Sequence, residues 1–258
     1  MSVGIFDSGI GGLTVLKEVR KILPNEEIFY FGDTARVPYG EKTKDLIIGY
    51  SKEITDFLLT KKISALVIAC NTATALAAEE LKTAYDIPII GVISAGVRSA
   101  LSMTKNNKVG IIGTKATINS GKYKEEMNKR NKDIIVYQKA CPLFVPLVEE
   151  GLVSGKIVDE VIKMYLDDFS DNIDTLILGC THYPLLKKEI QKLYPRLNIV
   201  DPAMETALDL RTALEKNNSL EDKTGNVKYY ASDGINHFKT IGNMFLDEKI
   251  EDIELVKL

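Results

Sequence analysis

The stretch Thr175–Tyr183, TLILGCTHY, has a partner earlier in the chain, Ala65–Ala73, ALVIACNTA. Each is an apolar run that stops on a cysteine, Cys180 or Cys70, and passes at once into polar residues. Apolar runs of this kind, bounded by polar residues, read as strands buried on both faces. The residues that follow, Asn71-Thr72 and Thr181-His182, read as the opening of a helix. A second pair recurs at nearly the same separation, VGIFDSG from Val3 and VGIIGTK from Val109. The chain therefore reads as an internal duplication of long period.

Around these anchors, short apolar runs alternate with segments of helical period. SVGIF precedes a segment with Leu16, Val19 and Leu23 on one face. EIFYF precedes Ile47, Tyr50, Ile54, Phe57 and Leu58. The second half repeats the scheme with KVGII, DIIVY, DTLIL and LNIV. Such alternation predicts an α/β fold of two similar doubly wound parallel-sheet domains, with the active site in the cleft between them. The expected division is residues 1–93 with 207–258, and residues 94–206. The tail is expected to pack back on the first domain, with a helix near ALDLRTALEK and a strand near NVKYY.

Composition narrows the function. The 258 residues are 45% hydrophobic and 27% charged, with a net charge of -3. That balance gives no basic footprint for nucleic acid or an acidic membrane. No apolar run reaches the roughly 20 residues that span a bilayer. The strand-like N-terminus has neither the charged nor the long apolar region of a signal peptide, so the cytoplasm is the expected location. Three cysteines and two histidines, with no CxxC or HExxH, argue against a disulfide framework and a conventional metal site. Zinc held by Cys70, Cys180 and His182 is the metal alternative.

Strand carboxyl ends face the ligand crevice in doubly wound sheets. Cys70 and Cys180 would meet there, each at a helix N-terminus whose field favours thiolate and lowers its pKa. Two opposed thiols suit proton exchange at a stereocentre, one taking a proton and the other delivering one. A buried packing role is the plainer reading of a single such cysteine. FDSGIGGL offers Asp7 and Ser8 at a strand end, to hold an ammonium group, to assist Cys70, or to cap the next helix. Its glycines do not fit GxGxxG. RVPYGEKT is a turn in which Tyr39 hydroxyl and Gly40 N–H can bind a carboxylate. Thr114 and Thr117 either cap a helix or hold an anion. Glu149 or Glu150 can reach the cleft, and His182 can orient or protonate. Cys141 reads as structural, and His237 as a surface or domain-contact residue.

FDSGIGGL, VPYG, ACNTATA, GTKAT and GCTHYPLL, in this order, resemble the cofactor-independent glutamate racemases within the aspartate/glutamate racemase superfamily. The resemblance covers nearly the whole chain. It implies that Cys70 and Cys180 are the acid/base thiols, that Asp7 assists Cys70, and that Glu149 and His182 assist Cys180. It implies substrate contacts from Asp7, Ser8, Pro38, Tyr39, Gly40, Asn71, Thr72, Thr114, Thr117, Thr181 and His182. It further implies no cofactor, glutamate as the small-molecule substrate, a role in peptidoglycan synthesis, and a homodimer. An aspartate racemase of the same mechanism and a non-catalytic two-lobed amino-acid-binding protein are the alternatives.

Overall fold

The computed structural model describes residues 2–217 and 225–258. Met1 and residues 218–224, which the expected first domain includes, lie outside the described residues. The strands are β1 (Ser2–Asp7), β2 (Glu27–Gly32), β3 (Ile63–Ile68), β4 (Ile89–Gly91), β5 (Lys108–Gly113), β6 (Ile135–Ala140), β7 (Thr175–Gly179), β8 (Asn198–Val200), β9 (Val227–Ala231) and β10 (Ile253–Leu255). The helices are α1 (Leu13–Ile22), α2 (Lys44–Leu59), α3 (Asn71–Ala84), α4 (Val92–Met103), α5 (Lys115–Asn119), α6 (Lys122–Arg130), α7 (Phe144–Glu149), α8 (Lys156–Leu166), α9 (Lys187–Leu193), α10 (Ala203–Lys216) and α11 (Ile235–Leu246).

Among the described residues these strands form two sheets, ordered β10-β9-β2-β1-β3-β4 and β6-β5-β7-β8. All pairings between them are parallel. The order β2-β1-β3-β4 is repeated as β6-β5-β7-β8, strand for strand. The winding reverses between β1 and β3 in one sheet and between β5 and β7 in the other. The carboxyl ends of those strands flank the crevice where doubly wound folds bind ligands. They carry Asp7 and Cys70 in one sheet and Thr114 and Cys180 in the other.

Burial follows the sequence pattern. β1 and β7 are buried along their whole length, as strands covered on both faces must be. α1 turns Leu13, Val15, Leu16 and Val19 into the core and leaves its lysines partly or fully exposed. α3 is rich in Ala, which favours the helix and lets it lie close on its neighbours. The tail adds β9 beside β2 and β10 beside β9. No helix among the described residues is long and apolar enough to cross a membrane.

Candidate active site

A cavity of about 280 Å³ opens where the carboxyl ends of the two sheets meet. Cys70 from the first sheet and Cys180 from the second both line it. So do Ser8, Pro38, Tyr39, Gly40, Asn71, Thr72, Thr114, Glu149, Thr181 and His182. Two expected contact residues lie behind its wall. Asp7 is wholly buried, and its Oδ2 accepts from Gly9 N at 3.0 Å. Thr181 Oγ1 donates to its Oδ1 at 3.3 Å, and Gly12 N–H also donates to it. With both oxygens engaged, Asp7 shapes the turn and holds Thr181 rather than facing the cavity. Thr117 is buried as well, and reaches the cavity through Thr72 and Thr114.

Cys70 is the N-cap residue of α3, and its Sγ accepts from Ala73 N at 3.5 Å. Its thiol donates to Ser8 Oγ at 3.5 Å. Its pKa is shifted in the direction opposite to the one expected from the helix field. Burial, followed by the nearby Asp7, pushes it up to about 12, against the help of Ser8 and Ala73. Removing a charge from water outweighs two long sulfur hydrogen bonds.

Cys180 sits beside an acid/base pair, the buried His182 and the half-buried Glu149. His182 Nδ1 lies 3.9 Å from its Sγ, and His182 Nε2 lies 3.0 Å from Glu149 Oε1. Burial opposes charge on His182, but Cys180 and Glu149 together raise its pKa to about 10. Burial also opposes charge on Glu149, yet His182 and then His237 hold its carboxyl below the ordinary value. His182 and Glu149 thus each favour the charged form of the other. His237 is exposed on α11, near enough to act on Glu149, the acidic residue at the end of α7.

Thr72, Thr114 and Thr117 form a closed ring of hydroxyls, with Oγ1–Oγ1 distances of 2.9, 3.1 and 3.0 Å. Thr114 Oγ1 also caps α5, accepting from Thr117 N at 3.2 Å. Capping and facing the cavity are both realised in one residue. Tyr39 departs from expectation in its hydroxyl, which donates to the buried Asp33. Asp33 also accepts from Arg36 Nε at 2.9 and 2.7 Å and from Ser232 Oγ at 2.9 Å. The Tyr39 hydroxyl is thus an anchor for the loop, and its ring and the Gly40 backbone remain at the cavity.

Sequence reasoning did not single out Asp33. It follows β2 at a strand carboxyl end, the position that draws attention to Cys70 and Cys180. Pro142 and the apolar residues after it, which read as structural beside Cys141, supply Pro142, Val145 and Pro146 as an apolar wall of the cavity. Cys141 is buried, its Sγ 3.7 Å from Lys139 O, and it does not line the cavity. Among the described residues no group of three or more His, Cys, Asp or Glu side chains is arranged to hold a metal ion.

The sequence profile of the Asp/Glu/Hydantoin racemase family matches residues 13–208. A glutamate racemase of Persephonella marina is 52% identical over 261 aligned positions, covering 100% of this chain and 99% of the relative. The structure of Francisella tularensis glutamate racemase in complex with D-glutamate superposes with a TM-score of 0.93 at 43% identity, covering 99% of this chain and 97% of the other. A Bacillus anthracis glutamate racemase isoform superposes with a TM-score of 0.96 at 38% identity, covering 100% and 97%.

Proposed function

The chain belongs to the Asp/Glu/Hydantoin racemase family, and from this premise we propose that it interconverts L- and D-glutamate by proton transfer between two thiols. The observation that carries the reading is the pair Cys70 and Cys180, placed by equivalent strands of two like-ordered sheets on one cavity. One thiolate takes the Cα proton, leaving the electron pair on Cα. The other thiol delivers its proton to the opposite face and ends as thiolate. The ligand-free site favours a protonated Cys70 and offers Cys180 a charged donor in His182. Fixed donors in a buried cleft, the α3 N-terminus among them, stabilise the developing carbanion.

Glutamate as substrate is supported by the relatives' names and by the D-glutamate bound to the Francisella tularensis structure. Contacts are assigned to Ser8, Tyr39, Gly40, Asn71, Thr72, Thr114, Thr181 and His182. Asp7 and Thr117 act through Thr181 and through the hydroxyl ring. No cofactor is required by this chemistry. The same reading assigns two lobes, residues 1–93 with 207–258 and residues 94–206, supported by sheet membership. It also assigns a cytoplasmic homodimer that supplies D-glutamate for peptidoglycan.

The test is exchange in D₂O with metal-free protein and L-glutamate, D-glutamate or L-aspartate, followed by NMR at Cα and by circular dichroism. Two separate bases place solvent deuterium in the product of inverted configuration and leave recovered substrate protonated at early times. Full turnover in both Cys70→Ser and Cys180→Ser would overturn the two-thiol mechanism. Exchange with aspartate in preference to glutamate would move the substrate to aspartate. Binding of glutamate with no exchange would make the chain an amino-acid-binding protein.

A further inference from the structure

His182 has no counterpart in the first half, where the matching position is Thr72, and its ring needs support that the duplication does not supply. Its two nitrogens face Cys180 and Glu149. Beyond the backbone at Gly11, which approaches Nδ1 and Cε1, its aromatic contact comes from α11, outside the duplicated segments. The Phe245 ring stands edge-to-face with the imidazole at 5.7 Å between centroids and 85° between planes. Both residues are buried. α11 is itself held by its buried Phe238, Ile241, Phe245 and Leu246, packed near Leu13 of α1 and Ile250.

We propose that Phe245 is a positioning residue for the proton transfer, holding the His182 imidazole in the plane that joins Cys180 to Glu149. An edge-to-face partner fixes a ring's tilt, and an aromatic ring, electron-rich on its face and electron-poor at its edge, discriminates between charged and neutral imidazole. Without Phe245, the ring keeps its hydrogen-bonding atoms and the Gly11 turn but loses the aromatic wall that restrains its tilt. The ionisable groups acting directly on His182 are Cys180, Glu149 and Asp7. His237, on the same helix as Phe245, acts on Glu149. The inference rests on the two-thiol reading for its catalytic meaning.

The experiment compares Phe245→Leu and Phe245→Tyr with Phe238→Leu on the same helix. Phe238 is equally buried but packs on Tyr30 and beside Gly32, away from His182. The His182 titration is read by NMR of ¹⁵N-histidine-labelled, ligand-free protein, and kcat and KM are measured in both directions. Phe245→Leu is expected to lower kcat about tenfold with KM little changed, the size expected for a lost aromatic contact to a charged ring. It is also expected to shift the His182 titration. Phe245→Tyr is expected to restore both, and Phe238→Leu to leave both unmoved while lowering stability. An unchanged His182 titration in Phe245→Leu, or an equal fall in kcat in Phe238→Leu, would overturn the inference. If Phe245→Leu is too unstable to purify, Phe245→Met carries the same comparison. The ligand-free titration does not depend on turnover, so a failure of the racemase reading shows separately, as absence of exchange in the unaltered protein.

Discussion

Gly11 lies in the turn between β1 and α1, against the second half of the chain. A Cβ placed there would meet Thr181 Oγ1 at 2.4 Å, His182 Nδ1 at 2.6 Å and His182 Cε1 at 2.8 Å. Its φ is not in the left-handed region, so Gly11→Ala adds a methyl without straining the backbone. Neither neighbour yields easily. Thr181 is tied to Asp7, and His182 is held by Glu149 and Phe245. Something must move by about 1 Å to reach ordinary contact, and overpacking of this kind costs about 1–3 kcal/mol. A displacement of about 1 Å at a reacting group lowers turnover about 10²-fold. Circular dichroism follows racemisation in both directions, and urea unfolding gives the stability. Gly49→Ala is the control, because Gly49 lies within α2 with nothing within 4 Å of an added Cβ. It is expected to stabilise by about 0.5–1 kcal/mol, the helix preference for Ala over Gly, with unchanged kcat. Full activity and full stability in Gly11→Ala would refute the close approach of the two halves at this turn.

Tyr39→Phe removes a donor from the buried Asp33 carboxylate and is expected to cost about 1.5–3 kcal/mol in urea unfolding, with a raised KM as the loop beside the cavity loosens. The pH dependence follows from His182 and Glu149. The His182 pKa is raised to about 10, so its stabilising contribution is complete below its ordinary value near 6.5 and is lost as pH rises through about 10. The Glu149 pKa is lowered, so its contribution is present above its ordinary value and is lost as pH falls through the depressed one. Glu149→Gln removes the charge that favours imidazolium. The alkaline limb of the kcat profile that belongs to His182 is expected to move to lower pH, and an unmoved limb would separate that limb from His182.

The alternation of apolar runs and helical segments was enough to place β1 to β8, because most of these strands are covered and leave a continuous apolar signature, and the partly exposed edge strand β6 still opens on Ile135, Val136 and Tyr137. The matched pairs around Val3 and Val109, and around Cys70 and Cys180, anticipated the repeated strand order. β9 was legible in NVKYY, whereas β10, three partly exposed residues at a sheet edge, carries no pattern that a sequence can show. The residues around the cavity were legible because strand carboxyl ends can be found from the strands. What each side chain does there was less so. The rise in the Cys70 pKa comes from burial by segments distant in sequence. The attachment of the Tyr39 hydroxyl to Asp33 depends on how a loop folds over β2. The spacing of Phe238, Ile241 and Phe245 announces a buried helix face, but nothing local says that it lies against His182.

The ring of Thr72, Thr114 and Thr117 has an arithmetic of its own. Three hydroxyls own three protons, and a closed ring spends all of them internally, leaving only lone pairs to face the cavity. A cationic group can approach such a ring without disturbing it. A carboxylate cannot be bound by these hydroxyls until one proton is withdrawn from the circuit. Two of the three links run from Thr72 in α3 to the helix of the other sheet. When the withdrawn proton comes from one of those links, the anion is captured with the same proton that had joined the two halves of the molecule.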